Sequence, residues 1–459
     1  MNAFQEIFNK QKAHFNTDIT KTYAWRIDQL NRLEKMLRDN EKAFHEAISQ
    51  DFKTSFAEQV FETQAPLGTI EFTKAQLAEW MKSVPAPVPK FLAKTGHKAE
   101  IYREPYGVTL IMGPFNGPLI LLLHPAITAI SAGNPVILKV NTAVPATSEM
   151  LLRLIPQYFE SESVTVVSGD IEETTELLKL PFDFIFFTGS TAVGKVIMRA
   201  AAENLTPVLL ELGGQNPAII DETANIPDAA KKIVWGATAW GGQWCTSPGY
   251  AYVHESVAEQ FVKEARKAVE ALYGKDPKSH PDLSRMISSK KVKQLAALLE
   301  PEKIVAGGET DEQARYVAPT VVYPVQWTDP IMEAELFGPI LPVLTYKEIG
   351  EAVSQVKALP KPLAGYIFSS NEKQINYLLQ TLPFGGGAVN QVNVHIYIES
   401  MPFGGIGNSG MGHYYGKYGY DALTHAKSIL YSPSGQEIDH LIPPYTPDKI
   451  QALTNWFDY

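Results

Sequence analysis

Residues 1 to about 82 place apolar side chains at helical spacing, for example Ile27, Leu30, Leu33, Met36 and Leu37 with charged residues between them. This stripe predicts a helical opening. From about residue 105 the texture changes to short β-branched or apolar runs: GVTLIMG (107–113), PVILKV (135–140), VTVVSG (164–169), DFIFFTG (183–189) and PVLLEL (207–212), separated by helix-length stretches. Strands apolar on both faces and alternating with helices predict a parallel, doubly wound sheet in an α/β fold. A second α/β set runs from about 213 to 400 and includes AYVHESV, PTVVYPV, LPVLTY, AGYIFS and the alternating VNVHIYIE. The most apolar run, PLILLLHPAITAISA (118–132), is shorter than a spanning helix requires and predicts a buried helix. The Pro-rich SVPAPVPKF (83–91) breaks the helical texture and begins an excursion from the first domain.

Length and charge narrow the classes. The chain has 459 residues, which at about 150 residues per domain allows roughly three domains or subdomains. A net charge of −10 argues against nucleic acid or an anionic membrane as the main partner and favours small molecules. The N-terminus has no apolar signal-peptide core and the tail SPSGQEIDHLIPPYTPDKIQALTNWFDY is too polar for a membrane anchor, so a cytoplasmic location is expected. One cysteine can form no internal bridge, and a core of this size needs neither a disulfide nor a metal.

Five stretches carry candidate chemistry. Gly189-Ser190-Thr191-Ala192-Val193-Gly194-Lys195-Val196 follows a strand and opens a helix, with P-loop spacing up to Val196, where the Mg²⁺-ligating hydroxyl is missing. It reads either as a pyrophosphate-binding helix N-terminus or as a plain tight turn. Gly405-Ile406-Gly407-Asn408-Ser409-Gly410 is a literal G-x-G-x-x-G, but no helix pattern follows it, so it reads as a loop of close backbone approach. Cys245, within Trp240-Gly241-Gly242-Gln243-Trp244-Cys245-Thr246, is either an inert buried thiol or a nucleophile on a loop whose amide dipoles stabilise thiolate. Glu211 ends an apolar strand just before Gly213-Gly214; its carboxylate is either partly buried and suited to general-base work or a strand-end group in water. Asn116 lies between Gly113-Pro114 and Gly117-Pro118, either as a turn residue or as an oxyanion donor.

PFNGP, ILK with a polar segment, FTGSTAVG, ELGGQNP, GQWC, ELFGP and PFGGIGNSGMG occur in this order over residues 113 to 412. The set resembles the NAD(P)-dependent aldehyde dehydrogenase superfamily. GIGNSGMGHYYGKYGYDALTHAKSIL and the late PPYTP are most similar to its class 3 branch, which acts on fatty or aromatic aldehydes.

The resemblance implies a nucleophile at Cys245, a general base at Glu211 and an oxyanion hole from Asn116 and the Cys245 backbone N–H. A retained Glu211 implies thioester hydrolysis to the acid. It implies an NAD or NADP site with Gly189, Ser190 and Val193 at the phosphates, Lys139 and Thr142 at the adenosine ribose, and Glu335 beside Phe337 at the nicotinamide ribose. Two departures stand out. Thr142 replaces a ribose-binding Glu, removing repulsion toward a 2′-phosphate, and Gln215 stands where a Lys is usual. The implied architecture is a doubly wound cofactor domain (1–85 and 104–212), a catalytic α/β domain (213–400) and a small bridging arm (86–103 and 420–432), assembled as a homodimer. The implied substrate is a medium- or long-chain aliphatic or aromatic aldehyde. Two rivals remain: a P-loop-type NTPase motivated by GSTAVGK, and a non-catalytic structural relative.

Overall fold

The computed structural model describes residues 4–436, 438 and 441–454. The extreme N-terminus and the parts of the tail at 437, 439–440 and 455–459, which enter the readings on targeting and anchoring, lie outside them.

The helical opening forms as Gln5–Phe15, Tyr23–Asp39, Glu41–Asp51 and Phe56–Trp80. Leu30, Leu33, Met36 and Leu37 turn inward onto the helix Ile120–Ser131, the apolar run, which is buried along almost its whole length. This packing sets the last three of those helices against one face of the first sheet, whereas Phe8 of the first packs on the other face.

That sheet has six strands in the order Gly410–Met411, Val208–Leu212, Phe184–Gly189, Thr109–Met112, Val136–Lys139, Val164–Val167. The last five are the five apolar runs, mutually parallel. Thr109–Met112 connects onward to Val136–Lys139 on one side, whereas Phe184–Gly189 connects to Val208–Leu212 on the other. A crevice therefore opens at their carboxyl ends, the place where open α/β sheets take ligands.

The second sheet runs Ile304–Ala306, Thr320–Val322, Ile340–Tyr346, Pro248–His254, Asn216–Ile220, Ala364–Phe368, Gly386–Val389, parallel except for the first pair. One expected strand is absent from it. VNVHIYIE contains instead the 3₁₀ turn Val394–Tyr397, because Asn393 takes a left-handed φ of 59° that ends any extended run, and the edge strand forms earlier, at Gly386–Val389. A third, antiparallel sheet joins Val84–Ala86, Lys98–Pro105 and Thr424–Tyr431. It contains the excursion that the Pro-rich segment begins.

Candidate active site

The crevice is a cleft of about 710 Å³ between the two large sheets, and one wall or another of it includes every nominated residue: Asn116, Lys139, Thr142, Gly189, Ser190, Val193, Glu211, Cys245, Glu335 and Phe337. Residues separated by more than two hundred positions converge there because each sits at a strand end, in the first turn of the helix after one, or on a loop that follows a strand or leads into one.

Glu211 is carried near the end of Val208–Leu212, and antiparallel pairing with Gly410 fixes its backbone. It is 3% exposed, and neither carboxylate oxygen has a hydrogen-bond partner. Burial alone pushes its pKa well above the ordinary carboxylate value, so it holds a proton where a solvated Glu would not. The Asn116 amide nitrogen is also buried and unpartnered. Leaving buried polar atoms unpaired costs about 1–3 kcal/mol each, a cost characteristic of groups kept free for a ligand.

Cys245 follows a tight segment in which Trp240, Gly241 and Gly242 all have positive φ, of 59°, 63° and 68°. Gly242 is obligatory, since a Cβ there would lie 2.1 Å from the Gly338 carbonyl carbon. The Cys245 carbonyl accepts a 2.8 Å hydrogen bond from Asn216 Nδ2 at the start of a strand of the second sheet. The amide dipoles expected around the thiol are present, as the Cys245 and Thr246 backbone N–H groups, and they lower its pKa. They are outweighed. Burial, followed by the charges of Glu211 and Glu335, pushes the thiol up to about 12, so it rests as a thiol rather than a thiolate.

Glu335 faces Gly213 so closely that a Cβ at that glycine would lie 2.2 Å from Glu335 Oε2. Its carboxyl takes the Gly214 backbone N–H and is raised to about 7, burial outweighing that bond and the charge of Lys291. Phe337, left-handed at φ 48°, meets Phe115 edge to face at 5.8 Å and closes this end of the cleft.

At the other end Ser190 caps the helix Thr191–Ala202, its hydroxyl accepting the Val193 N–H, so the first turn of the helix opens into the cleft. An exposed Val193 and glycine at 189 leave room for a phosphate-bearing group against those N–H groups. Lys195 is exposed and does not line the cleft, whereas a P-loop lysine reaches the phosphates, so the NTPase reading is not favoured. Lys139 is half-buried, its pKa lowered by that burial against the opposing charges of Asp170 and Glu173. Those two acids escaped the sequence reading. The signal for them was available: Val164–Val167 pairs with Val136–Lys139, so the loop after it must face Lys139.

The GIGNSG loop is a close-approach turn, although the expectation that no helix follows it is corrected by the short helix Gly416–Ala422. The Leu212 N–H donates to Ser409 O, and a Cβ on Gly410 would lie 2.1 Å from the Leu210 carbonyl oxygen.

An aldehyde dehydrogenase family model matches residues 3–429. The 4,4'-diaponeurosporen-aldehyde dehydrogenase of Staphylococcus aureus is 40% identical over 448 residues, covering 97% of each chain. The dimeric NADP-preferring aldehyde dehydrogenase of Canis lupus familiaris is 38% identical over 94% of this chain and 95% of its own. A substrate-bound structure of Staphylococcus aureus AldH superposes with a TM-score of 0.96 at 39% identity, covering 100% of both chains. The chain belongs to the aldehyde dehydrogenase family and is an NAD(P)-dependent member of it.

Proposed function

We propose that the chain oxidises an apolar aldehyde, medium- or long-chain aliphatic or aromatic, to its carboxylic acid through a thioester on Cys245. The observation that carries this reading is the meeting, in one cleft, of a thiol, a buried carboxylate with both oxygens unpartnered and a buried, unpartnered amide. In the proposed sequence the Cys245 sulfur, once deprotonated, adds to the aldehyde carbon. The negative charge that develops on oxygen is held by Asn116 Nδ2 and the Cys245 N–H. A nicotinamide bound in the cleft would supply the acceptor for the hydride of the carbon held on Cys245. Glu211, after losing its own proton, takes a proton from water as that water adds to the thioester carbonyl, and the Cys245 sulfur departs with its bonding pair to release the acid.

The cofactor roles follow the two ends of the cleft. Ser190, Val193 and Gly189 frame the phosphates, and Glu335 with Phe337 holds the nicotinamide ribose. Lys139 and Thr142 meet the adenosine ribose. Thr142 presents no charge to a 2′-phosphate, but Asp170, which lines the cleft near Lys139, would repel one, so NAD is the favoured partner and NADP the weaker one. Phe115, Leu121, Leu363 and Phe403 make the lining largely apolar, which supports an apolar acyl group over a short charged one. A homodimer in the cytoplasm completes the reading. Support for the dimer comes from two edge strands, Gly386–Val389 and Thr424–Tyr431, each paired on one side only among the described residues, together with a relative named as dimeric.

The test is reduced-nicotinamide absorbance with a panel of aldehydes, each offered NAD⁺ and NADP⁺, for the native protein and Cys245→Ala in parallel. Reduction with hexanal or benzaldehyde that vanishes in the variant is the expected result. A preference for short charged aldehydes would overturn the substrate assignment, and activity in Cys245→Ala would overturn the thiol mechanism.

A further inference from the structure

Behind the thiol loop lies a buried ionic cluster that the proposed chemistry does not use. Lys53 is fully buried and paired with Glu62, itself fully buried. Glu62 also accepts the Leu119 and Ile120 N–H groups at 3.0 Å each, capping the helix that begins just after Asn116. The Lys53 ammonium sits 3.3 Å from the centroid of the Trp240 ring. Glu58 accepts the Trp240 backbone N–H at 2.7 Å through one oxygen and the Ser284 hydroxyl at 2.6 Å through the other.

Trp240 is the unusual member. Its φ of 59° and ψ of 25° are a left-handed conformation that a bulky side chain adopts only when its surroundings enforce it. Its ring stacks on Trp244, the residue before Cys245, at 4.7 Å and 4°. Gln243 ties the same turn together, donating to Trp240 O at 3.1 Å and accepting from Ile287 N at 2.9 Å. The grip on Trp240 is thereby passed along four residues to the thiol.

We propose that Glu58 and Lys53 are positioning residues for Cys245: Glu58 holds the Trp240 backbone in its left-handed turn, Lys53 holds the indole from beneath, and the Trp240–Trp244 stack fixes where the thiol lies. The same Lys53 is joined through Glu62 to the segment following Asn116, so one buried cluster sets the spacing between the thiol and the amide across from it. This rests on the assignment of Cys245 as nucleophile.

Three variants at Glu58 test it. Glu58→Gln keeps an oxygen acceptor for the Trp240 N–H, Glu58→Ala removes it, and Glu58→Asp keeps the charge but withdraws it by one methylene. Three readouts are taken on the full-length protein: kcat for aldehyde oxidation, the Kd for NAD⁺, and the pH profile of Cys245 alkylation by iodoacetamide, followed by peptide mass without aldehyde or cofactor. Glu58→Ala is expected to lower kcat 10- to 100-fold while the Kd for NAD⁺ stays within twofold, and to move the alkylation midpoint at least one pH unit toward the ordinary thiol range as the loop loosens. Glu58→Gln should lie within threefold of native in kcat. In a Trp240→Asn background, where the residue tolerates the left-handed turn unaided, the Glu58→Ala effect should shrink below threefold.

Should Glu58→Ala fail to fold, Glu58→Asp carries the comparison, with a midpoint shift of the same sign. An unchanged alkylation profile in either variant would overturn the proposal, as would equal losses in Gln and Ala, or a Glu58→Ala effect that is undiminished in the Trp240→Asn background. Because alkylation needs no turnover, a failure of the Cys245 assignment itself is seen separately, as aldehyde oxidation that survives Cys245→Ala.

Discussion

Gly410→Ala isolates the support beneath Glu211. Gly410 pairs with Glu211 in antiparallel register and has φ 142°, and a Cβ built on it lies 2.1 Å from the Leu210 carbonyl oxygen and 3.5 Å from Gly405 Cα. A carbon–oxygen contact relaxes to about 3.2 Å, so the loop, Gly405 included, and the strand must separate by roughly 1 Å. Left-handed strain in a residue with a Cβ adds on the order of 1–3 kcal/mol. Part of the separation falls on Leu210–Glu211, and a misplacement of about 1 Å at a reacting group costs up to about 10²-fold. Because Cys245 and Asn116 sit on other elements, acylation should survive while deacylation slows. Stopped-flow absorbance with excess aldehyde and NAD⁺ reads both: a burst close to one reduced nicotinamide per site, then a steady state slowed about 10- to 100-fold. A variant with the native steady-state rate, or one whose burst falls as far as its steady state, would refute the argument that this loop acts through Glu211.

Glu211→Gln should give the same burst with a still slower steady state, and undiminished turnover would remove Glu211 from its role. Glu335, raised to about 7, holds its proton more tightly in the folded chain than in the unfolded one, so its contribution to stability is whole below about pH 4.5 and is lost as pH climbs through 7. At 1.36 kcal/mol per pH unit the loss is capped at about 3 kcal/mol, and water in the cleft reduces it to about 1–2 kcal/mol. Urea unfolding of Glu335→Gln against native should therefore show a relative gain between pH 5 and 8, and a difference independent of pH would contradict the raised carboxyl. Asp170→Asn keeps a helix-capping side chain while removing one charge near Lys139; the ratio of kcat/KM with NADP⁺ to that with NAD⁺ should rise about fivefold, the equivalent of about 1 kcal/mol at an exposed site. An unchanged ratio would take Asp170 out of cofactor selection.

Much of the frame was legible in the chain because burial on both faces leaves an unambiguous apolar run. The five parallel strands of the first sheet were of that kind, and their ends carry Asn116, Lys139, Gly189 and Glu211 or the loops that hold them. VNVHIYIE was misread because alternation does not register a single left-handed residue, Asn393, that turns the chain. The state of the thiol was equally hidden. Local sequence displays the amides near Cys245, but the carboxylates that help outweigh them come from positions 211 and 335, brought in by two different strand systems. Lys53, Glu58 and Glu62 looked like ordinary charged residues of the helical opening, and only the packing of that helix against Trp240 and Leu119 gives them a shared task.

In the proposed mechanism every turnover passes through an acyl group on Cys245. Glu211→Gln mixed with hexanal and NAD⁺, quenched in acid within seconds and examined by intact and peptide mass spectrometry, tests it most directly. A hexanoyl adduct is expected, confined to the peptide bearing Cys245 and in amount equal to the reduced nicotinamide of the burst. Reduced nicotinamide formed with no adduct, or an adduct on any other residue, would contradict it.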